Sequence, residues 1–373
     1  MIVKRLGIVA TAQPGHGGQF QYTLAMMQGL CQVTGWRLTV YRDPETTAYS
    51  PFGLEERPLR GGKLRAVFLA VLSACGIRAP DQFADEDAVI APMYAPQLLH
   101  TRKPFCYTLH DLQEYYFPQY FSLYQKIWRR FLHGRLTKRA RRVICESKFV
   151  QADIVKHFGI EPRRICVVPA PPLWEDAGND NTDLAAISQR YRLPARFLLY
   201  PAQFWAHKNH QRLLEAFAEI YHEYPDLFLV FTGHRRFEYD AVMRKVADLG
   251  LTERVIHLGY VDSRDIFSLY RLAQALVMPS LFESISIPVY EAFRAGTPVC
   301  ASGVFGLTDQ IGSAGIIFDP YSVSDMAGAM RRVVGDAELR RRLVAEGRGV
   351  LAGLTIQRYA GQLQDVLAEL LDD

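Results

Sequence analysis

The stretch PSLFESISIPVYEAFRAGTPVCAS, Pro279 to Ser302, holds two glutamates, Glu283 and Glu291, with seven residues between them. Those seven are mostly small or apolar. "ALVMPS" just before it reads as a short buried strand. Pro288 suits the start of a following helix, where a missing N–H costs nothing. Glu283 then lies in the loop beyond the strand, and Glu291 lies on the first turn of the helix. Ser284, Ile285, Ser286 and Ile287 would offer backbone N–H groups beside a helix N-terminus, which attracts phosphate. Two flanking carboxylates can each accept hydrogen bonds from sugar hydroxyls through two oxygens. The plainer account is that Glu291 only complements the helix dipole. A capping box would need Ser or Thr where Pro288 stands. Spacing alone leaves both accounts open.

Outward from this stretch, short apolar strands alternate with helical runs. "RFLLYPA", "LFLVFTG", "RVIHLGYV", "ALVMPS", "TPVCAS" and "AGIIFD" read as strands in the second half of the chain. "RLGIVATA", "RLTVY", "AVIAPM", "FCYTLHD" and "RVICES" do so in the first half, where Gly15, Gly17 and Gly18 mark a turn. Such alternation argues for parallel, doubly wound sheets. The pattern breaks at 169–183, "PAPPLWEDAGNDNTD", which reads as a linker. The expected fold class is therefore α/β, with two Rossmann-like domains of about 1–175 and 176–355 facing a central cleft. The last helix, 356–373, is expected to pack back on the first domain. In open sheets of this kind ligands bind beyond the carboxyl ends of the strands.

The 373 residues suit two domains, and the chain is 49% apolar and 22% charged, ordinary for a globular enzyme. The net charge of +4 hides an asymmetry: +9 over residues 1–175 and −5 over 176–373. The cysteines Cys31, Cys75, Cys106, Cys145, Cys166 and Cys300 form no CxxC pair and read as reduced core residues of a cytoplasmic protein. The longest apolar run, "AVFLAVLSACGI" (66–77), is too short to span a bilayer. No segment reads as a signal peptide. No His/Cys cluster and no Asp-x-Asp suggests a metal site, and no cofactor is expected.

The segment "MPSLFESISIPVYEAFRAGTPVCAS…AGIIFDP" resembles the signature of retaining glycosyltransferases of family 4, which have the GT-B fold. That signature is Glu, seven residues, Glu, then a Gly-Thr-Pro-Val strand, here Gly296–Val299, and a Gly-x-x-Phe-x-Pro turn, here Gly315–Pro320. The likeness covers nearly the whole chain. "SKFVQADIVKHFGIEPRRICVVP" is similar to the family's last N-domain segment. "VIHLGYVDSRDIFSLYRLAQALVMPSLFES", which contains Val261, is similar to its nucleotide-binding region. The resemblance implies that Glu291 holds ribose hydroxyls of a sugar nucleotide and Glu283 a hydroxyl of the transferred sugar. Val261 and the amides of Ser284–Ile287 complete the donor contacts. The family usually has Gly or Ser, Phe, Gly after the first glutamate; here Ser286 replaces the last glycine.

Four other constellations fit or strain that likeness. Lys208, in "YPAQFWAHKNH", follows a strand and can neutralise a diphosphate leaving group. The family places an arginine five residues earlier, but here Gln203 stands there. His207 and His210 read as surface or capping histidines. His110 in "FCYTLHD" matches the family's histidine near the anomeric centre, with Asp111 beside it. Gly17 and Gly18 resemble the family's Gly-Gly loop, followed four residues later by Tyr22; glycines there let amides approach phosphate or sugar. "KIWRRFLHGRLTKRARR" (126–142) carries eight basic residues and no acid. It reads either as a core-packed helix with a solvated basic face or as a patch for anionic lipid. Nucleic acid is not expected, because no recognition module accompanies the charge.

The resemblance implies a metal-independent, retaining hexosyltransferase. It would use a GDP- or UDP-sugar and a glycan or lipid-linked acceptor, in polysaccharide synthesis, in the cytoplasm or peripherally on its membrane. A catalytically retired nucleotide-sugar scaffold and a GT-B hydrolase or epimerase are the alternatives.

Overall fold

The computed structural model describes residues 3–14, 17–60, 63–172 and 183–371. Gly15, and residues 173–182 of the expected linker, lie outside the described residues. The chain divides into two compact units, Met1–Leu173 with Leu354–Asp373, and Trp174–Gly353.

The first unit is built on seven strands: β1 (Lys4–Ala10), β2 (Trp36–Arg42), β3 (Glu55–Pro58), β4 (Ala88–Ala91), β5 (Phe105–Thr108), β6 (Arg142–Cys145) and β7 (Ile165–Val167). Their order is β3-β2-β1-β4-β5-β6-β7, with every pairing parallel. The chain starts in the middle, runs to one edge, and returns at β4, so a topological switch point lies between β1 and β4. Side chains alternate between two buried layers. Val9, Val89, Tyr107 and Val143 face one cluster, and Ile8, Ile90, Cys106 and Ile144 the other. Burial on both faces explains why these strands read as unbroken apolar runs.

The second layer joins the helix Gly18–Leu30 to the C-terminal helix Ile356–Leu371 through Tyr22, Met26, Tyr359 and Leu363. Their crossing is close. A Cβ on Gly29 would stand 2.9 Å from both Leu363 and Tyr359.

Strand β3, sequence EERP, was not expected as a strand, since it has no β-branched or aromatic residue. Edge pairing to β2 makes it one, with Arg37–Glu55 at 3.0 Å and Arg42–Glu56 at 2.6 Å across the pair. Cys31 and Cys75 are exposed, which corrects their reading as core residues; Cys106, Cys145 and Cys300 are buried.

The second unit has six parallel strands: β8 (Arg196–Pro201), β9 (Leu227–Thr232), β10 (Val255–His257), β11 (Ala275–Met278), β12 (Val299–Ser302) and β13 (Gly315–Phe318). The order is β10-β9-β8-β11-β12-β13, so its switch point lies between β8 and β11. Among the described residues no helix is long and apolar enough to cross a membrane.

Candidate functional site

The switch point of the second unit is spanned by an ion pair. Lys208 ends the short 3-10 turn Ala206–Lys208 after β8, and Glu283 follows β11. Lys208 Nζ lies 2.6 Å from Glu283 Oε1. Neighbouring bonds fix both loops. Tyr200 donates its hydroxyl to the Lys208 carbonyl at 2.7 Å, and Leu281 N–H donates to the His207 carbonyl at 2.7 Å. Buried Asn209, at φ 59°, donates through Nδ2 to the carbonyls of Pro279 at 3.0 Å and Pro320 at 2.9 Å. One side-chain amide thus ties together the loops after β8, β11 and β13.

Glu291 is 7% exposed, and its Oε2 accepts the Tyr270 hydroxyl at 2.5 Å. Burial first, and then the Glu291 charge, push the Tyr270 hydroxyl far above its ordinary pKa, so it stays a donor. The helix begins at Ile287, which makes Glu291 its fifth residue; the expected place on the first turn is corrected by about one position. Ser286 is the N-cap residue but makes no capping bond. Its side chain is 2% exposed, and its hydroxyl has no partner among the described residues. The Ser286 amide, expected to face a ligand, instead donates to Gln310 Oε1 at 2.7 Å, while Gln310 Nε2 donates back to the Ser286 carbonyl at 2.7 Å. Among the described residues the amides of Ser284, Ile285 and Ile287 have no acceptor. Three of the four expected donors therefore remain for an anion, beside a helix N-terminus that favours one.

A cavity of about 340 Å³ opens at the carboxyl ends of β9 and β10, lined by Gly233–Arg235 and His257–Tyr260. The rings of His234 and Tyr260 stack there, 4.6 Å apart at 11°. Val261, next in sequence, is buried. Gln203 follows β8, and its Oε1 accepts from Trp205 Nε1 at 3.1 Å and Arg236 Nε at 3.0 Å. His210 is no surface histidine: it is buried and stacked on Phe204 at 4.4 Å, and burial pushes its pKa down to about 3.

In the first unit His110 follows β5. Its Nδ1 lies 2.9 Å from Glu146 Oε2, and its Nε2 lies 2.9 Å from the Pro92 carbonyl. Burial disfavours its charged form, but Glu146, the Pro92 carbonyl and Asp111 outweigh burial and raise its pKa. Tyr22 stands edge-on to the His110 ring at 4.5 Å and shares a 2.9 Å hydrogen bond with Thr108. Tyr22 lies on the helix that starts at Gly18, behind Gly17, whose φ of 58° suits glycine. Residues after β1, β4, β5 and β6 thus converge on His110. Asp111 pairs with Arg129 at 2.9 Å, and Arg129 Nε also donates to buried Glu114 at 2.8 Å.

Sequence reasoning missed Tyr270, Gln310, Glu146 and Arg236. Glu146 was visible as an acid at the end of an apolar strand. The other three sit on amphipathic or loop segments with nothing to mark them. Among the described residues no group of three or more His, Cys, Asp or Glu could hold a metal ion.

The family profile "Glycosyl transferases group 1" matches residues 187–350, and "Glycosyltransferase Family 4" matches residues 16–171. Over 247 residues the chain is 28% identical to O-antigen chain mannosyltransferase B of Escherichia coli, covering 64% of each. It is 26% identical over 227 residues to the serotype-specific mannosyltransferase WbdA of Escherichia coli, covering 58% of this chain and 28% of that one. The matches thus span less than two thirds of these relatives. Among solved structures it is similar to sucrose-phosphate synthase from Thermosynechococcus elongatus, with a TM-score of 0.78 at 21% identity over 98% of this chain and 99% of that one. Anabaena HepE in complex with UDP and glucose gives a TM-score of 0.77 at 16% identity, over 98% and 99%. The fold is GT-B, as the resemblance implied.

Proposed function

The chain belongs to the family 4, group 1 glycosyltransferases, and from that premise we propose that it is a retaining, metal-independent hexosyltransferase of polysaccharide synthesis. The donor is a GDP- or UDP-linked sugar of mannose or glucose type, and the acceptor is a glycan or a lipid-linked saccharide. The mannosyltransferase names of its relatives favour mannose. The carrying observation is the Lys208–Glu283 pair at the switch point, beside three amides that have no acceptor among the described residues. In this reading Glu291, oriented by Tyr270, accepts from the ribose hydroxyls. The amides of Ser284, Ile285 and Ile287 and the Lys208 ammonium receive the diphosphate, and Glu283 accepts from a sugar hydroxyl. The base enters the cavity beside Val261, and Gly17, Gly18 and His110 of the first unit are the further sugar-contacting residues that the family likeness implies.

The acceptor hydroxyl attacks the anomeric carbon on the face the diphosphate leaves. The carbon–phosphate oxygen bond breaks as the new glycosidic bond forms, and the departing phosphate takes the acceptor's proton. Fixed positive charge at that oxygen acts where negative charge grows, which lowers the barrier. Incubating the protein with GDP-mannose, UDP-glucose and a mannose-containing acceptor tests this. Transfer with retained anomeric configuration, unchanged by EDTA, is expected. Hydrolysis alone or strict metal dependence overturns it.

The same reading gives the first unit an anionic bilayer as partner. Its contact would draw on more than the expected basic face of 126–142, part of which has internal partners. Arg129 is paired to Asp111 and Glu114, and Arg142 to Glu369 at 2.7 Å. Arg139 donates to the Thr101 carbonyl at 2.8 Å, and Arg130 lies over the Tyr115 ring at 4.4 Å. Arg130, Lys138 and Arg139 stay exposed, and apolar side chains stand in solvent beside them. Phe68 (58% exposed), Val71 and Ile77 lie on and after the helix Lys63–Ala74, and Leu123 (70%), Tyr124 and Ile127 open the helix Leu123–Arg139. Exposed Arg65 and Arg78 flank the first group. Exposed apolar side chains flanked by arginine suit the headgroup level of an anionic membrane.

A further inference from the structure

The family's diphosphate site calls for two cations five residues apart, and this chain has glutamine at the first position. We propose that Arg236, from the neighbouring loop, supplies the missing cation and binds the diphosphate together with Lys208. This rests on the donor-site reading above.

Gln203 is shorter than arginine, and Arg236 Nε bonds to its tip at 3.0 Å. The guanidinium therefore sits about where a longer side chain from position 203 would reach. Trp205 completes the clamp: its Nε1 donates to the same oxygen at 3.1 Å, and the Arg236 guanidinium lies 5.5 Å from its ring centre. Lys208 belongs to the same turn, its amide donating to the Trp205 carbonyl at 2.9 Å.

The backbone is built to bring the loop here. At Gly233 φ is 116°, and a Cβ would stand 2.8 Å from the Ala202 carbonyl oxygen and 3.0 Å from the Gln203 nitrogen. Only glycine lets the segment after β9 pass so near the segment after β8. The Gly233 amide donates to the Gly259 carbonyl at 2.7 Å, and the Glu238 amide to the Phe204 carbonyl at 3.1 Å. Arg236 lies between these two tethers.

Charge gives Arg236 something to do. Lys208 is neutralised at rest by Glu283. Among the described residues Arg236 has no carboxylate partner, and its two Nη groups make no hydrogen bond. Glu238, two residues on, instead accepts from Gln211 at 3.2 Å. An unpaired guanidinium with two donor groups suits phosphate oxygens.

Calorimetry of the full chain with GDP and UDP, and with guanosine and uridine, tests this. Arg236→Gln weakens the diphosphate that binds by about tenfold or more and leaves its nucleoside unchanged, since one charge-assisted contact is lost. Gln203→Arg added to Arg236→Gln restores most of that loss, because the cation returns from the other loop. Unchanged diphosphate affinity in Arg236→Gln overturns the proposal, as do an equal loss for nucleoside and diphosphate, or no recovery in the double variant. If the unaltered protein binds neither GDP nor UDP, the donor-site reading itself falls and this one with it.

Discussion

At the scale of the residue, His110 is a titratable group held at both ring nitrogens. The Pro92 carbonyl can only accept, so Nε2 carries a proton, and Glu146 faces Nδ1. Both contacts together favour the doubly protonated ring. A histidine whose folded pKa lies above its unfolded value near 6.5 adds stability that is complete below that value. The contribution fades as pH rises through the raised folded value. NMR titration of the His110 ring should show a midpoint above the ordinary one, and Glu146→Gln should lower it. A midpoint unmoved by Glu146→Gln would refute Glu146 as the cause. The sequence draws notice to His110 only through the family likeness, since a lone strand-end histidine is usually structural; Glu146 gains meaning only when β6 is laid beside β5.

Elements were legible where burial is symmetrical. Parallel strands buried on both faces announce themselves by composition, and so the alternation in both halves could be read directly. Strand β3 could not, because its pairing rests on ions that a polar loop would carry equally well. The loop after β11 reads from sequence as an anion site, but nothing there marks that Gln310, 24 residues away, occupies one of its amides. The crossing of Gly18–Leu30 with Ile356–Leu371 gives an element-scale prediction. Gly29→Leu forces the helices apart and should destabilise the first unit by about 1–3 kcal/mol, the usual cost of overpacking. Urea unfolding measures it. A loss well below that range would mean that Tyr359 and Leu363 move aside freely.

At the scale of the whole molecule, charge and exposure say different things. The +9 of residues 1–175 is real, but several arginines of 126–142 are held by internal partners. Counting charges along a helix overlooked those partners because they come from other elements. Membrane contact should therefore depend more on apolar side chains than on these arginines. In co-sedimentation with anionic liposomes, Phe68→Ser with Val71→Ser should reduce binding strongly, and Arg129→Gln little. Equal binding by the serine variant and the unaltered chain would exclude this surface.

The ion pair across the switch point also bears on how the cycle ends. On the proposed donor-site reading, a departing nucleoside diphosphate would hold Lys208 away from Glu283 yet offer that carboxylate no hydroxyl in return. The full donor offers one. The re-forming pair would then compete with the spent product and help expel it, relieving product inhibition. Glu283→Gln removes the competitor, and the inhibition constant for the product diphosphate should drop several-fold while donor turnover slows. Weaker product inhibition in that variant would show that the pair does not drive release.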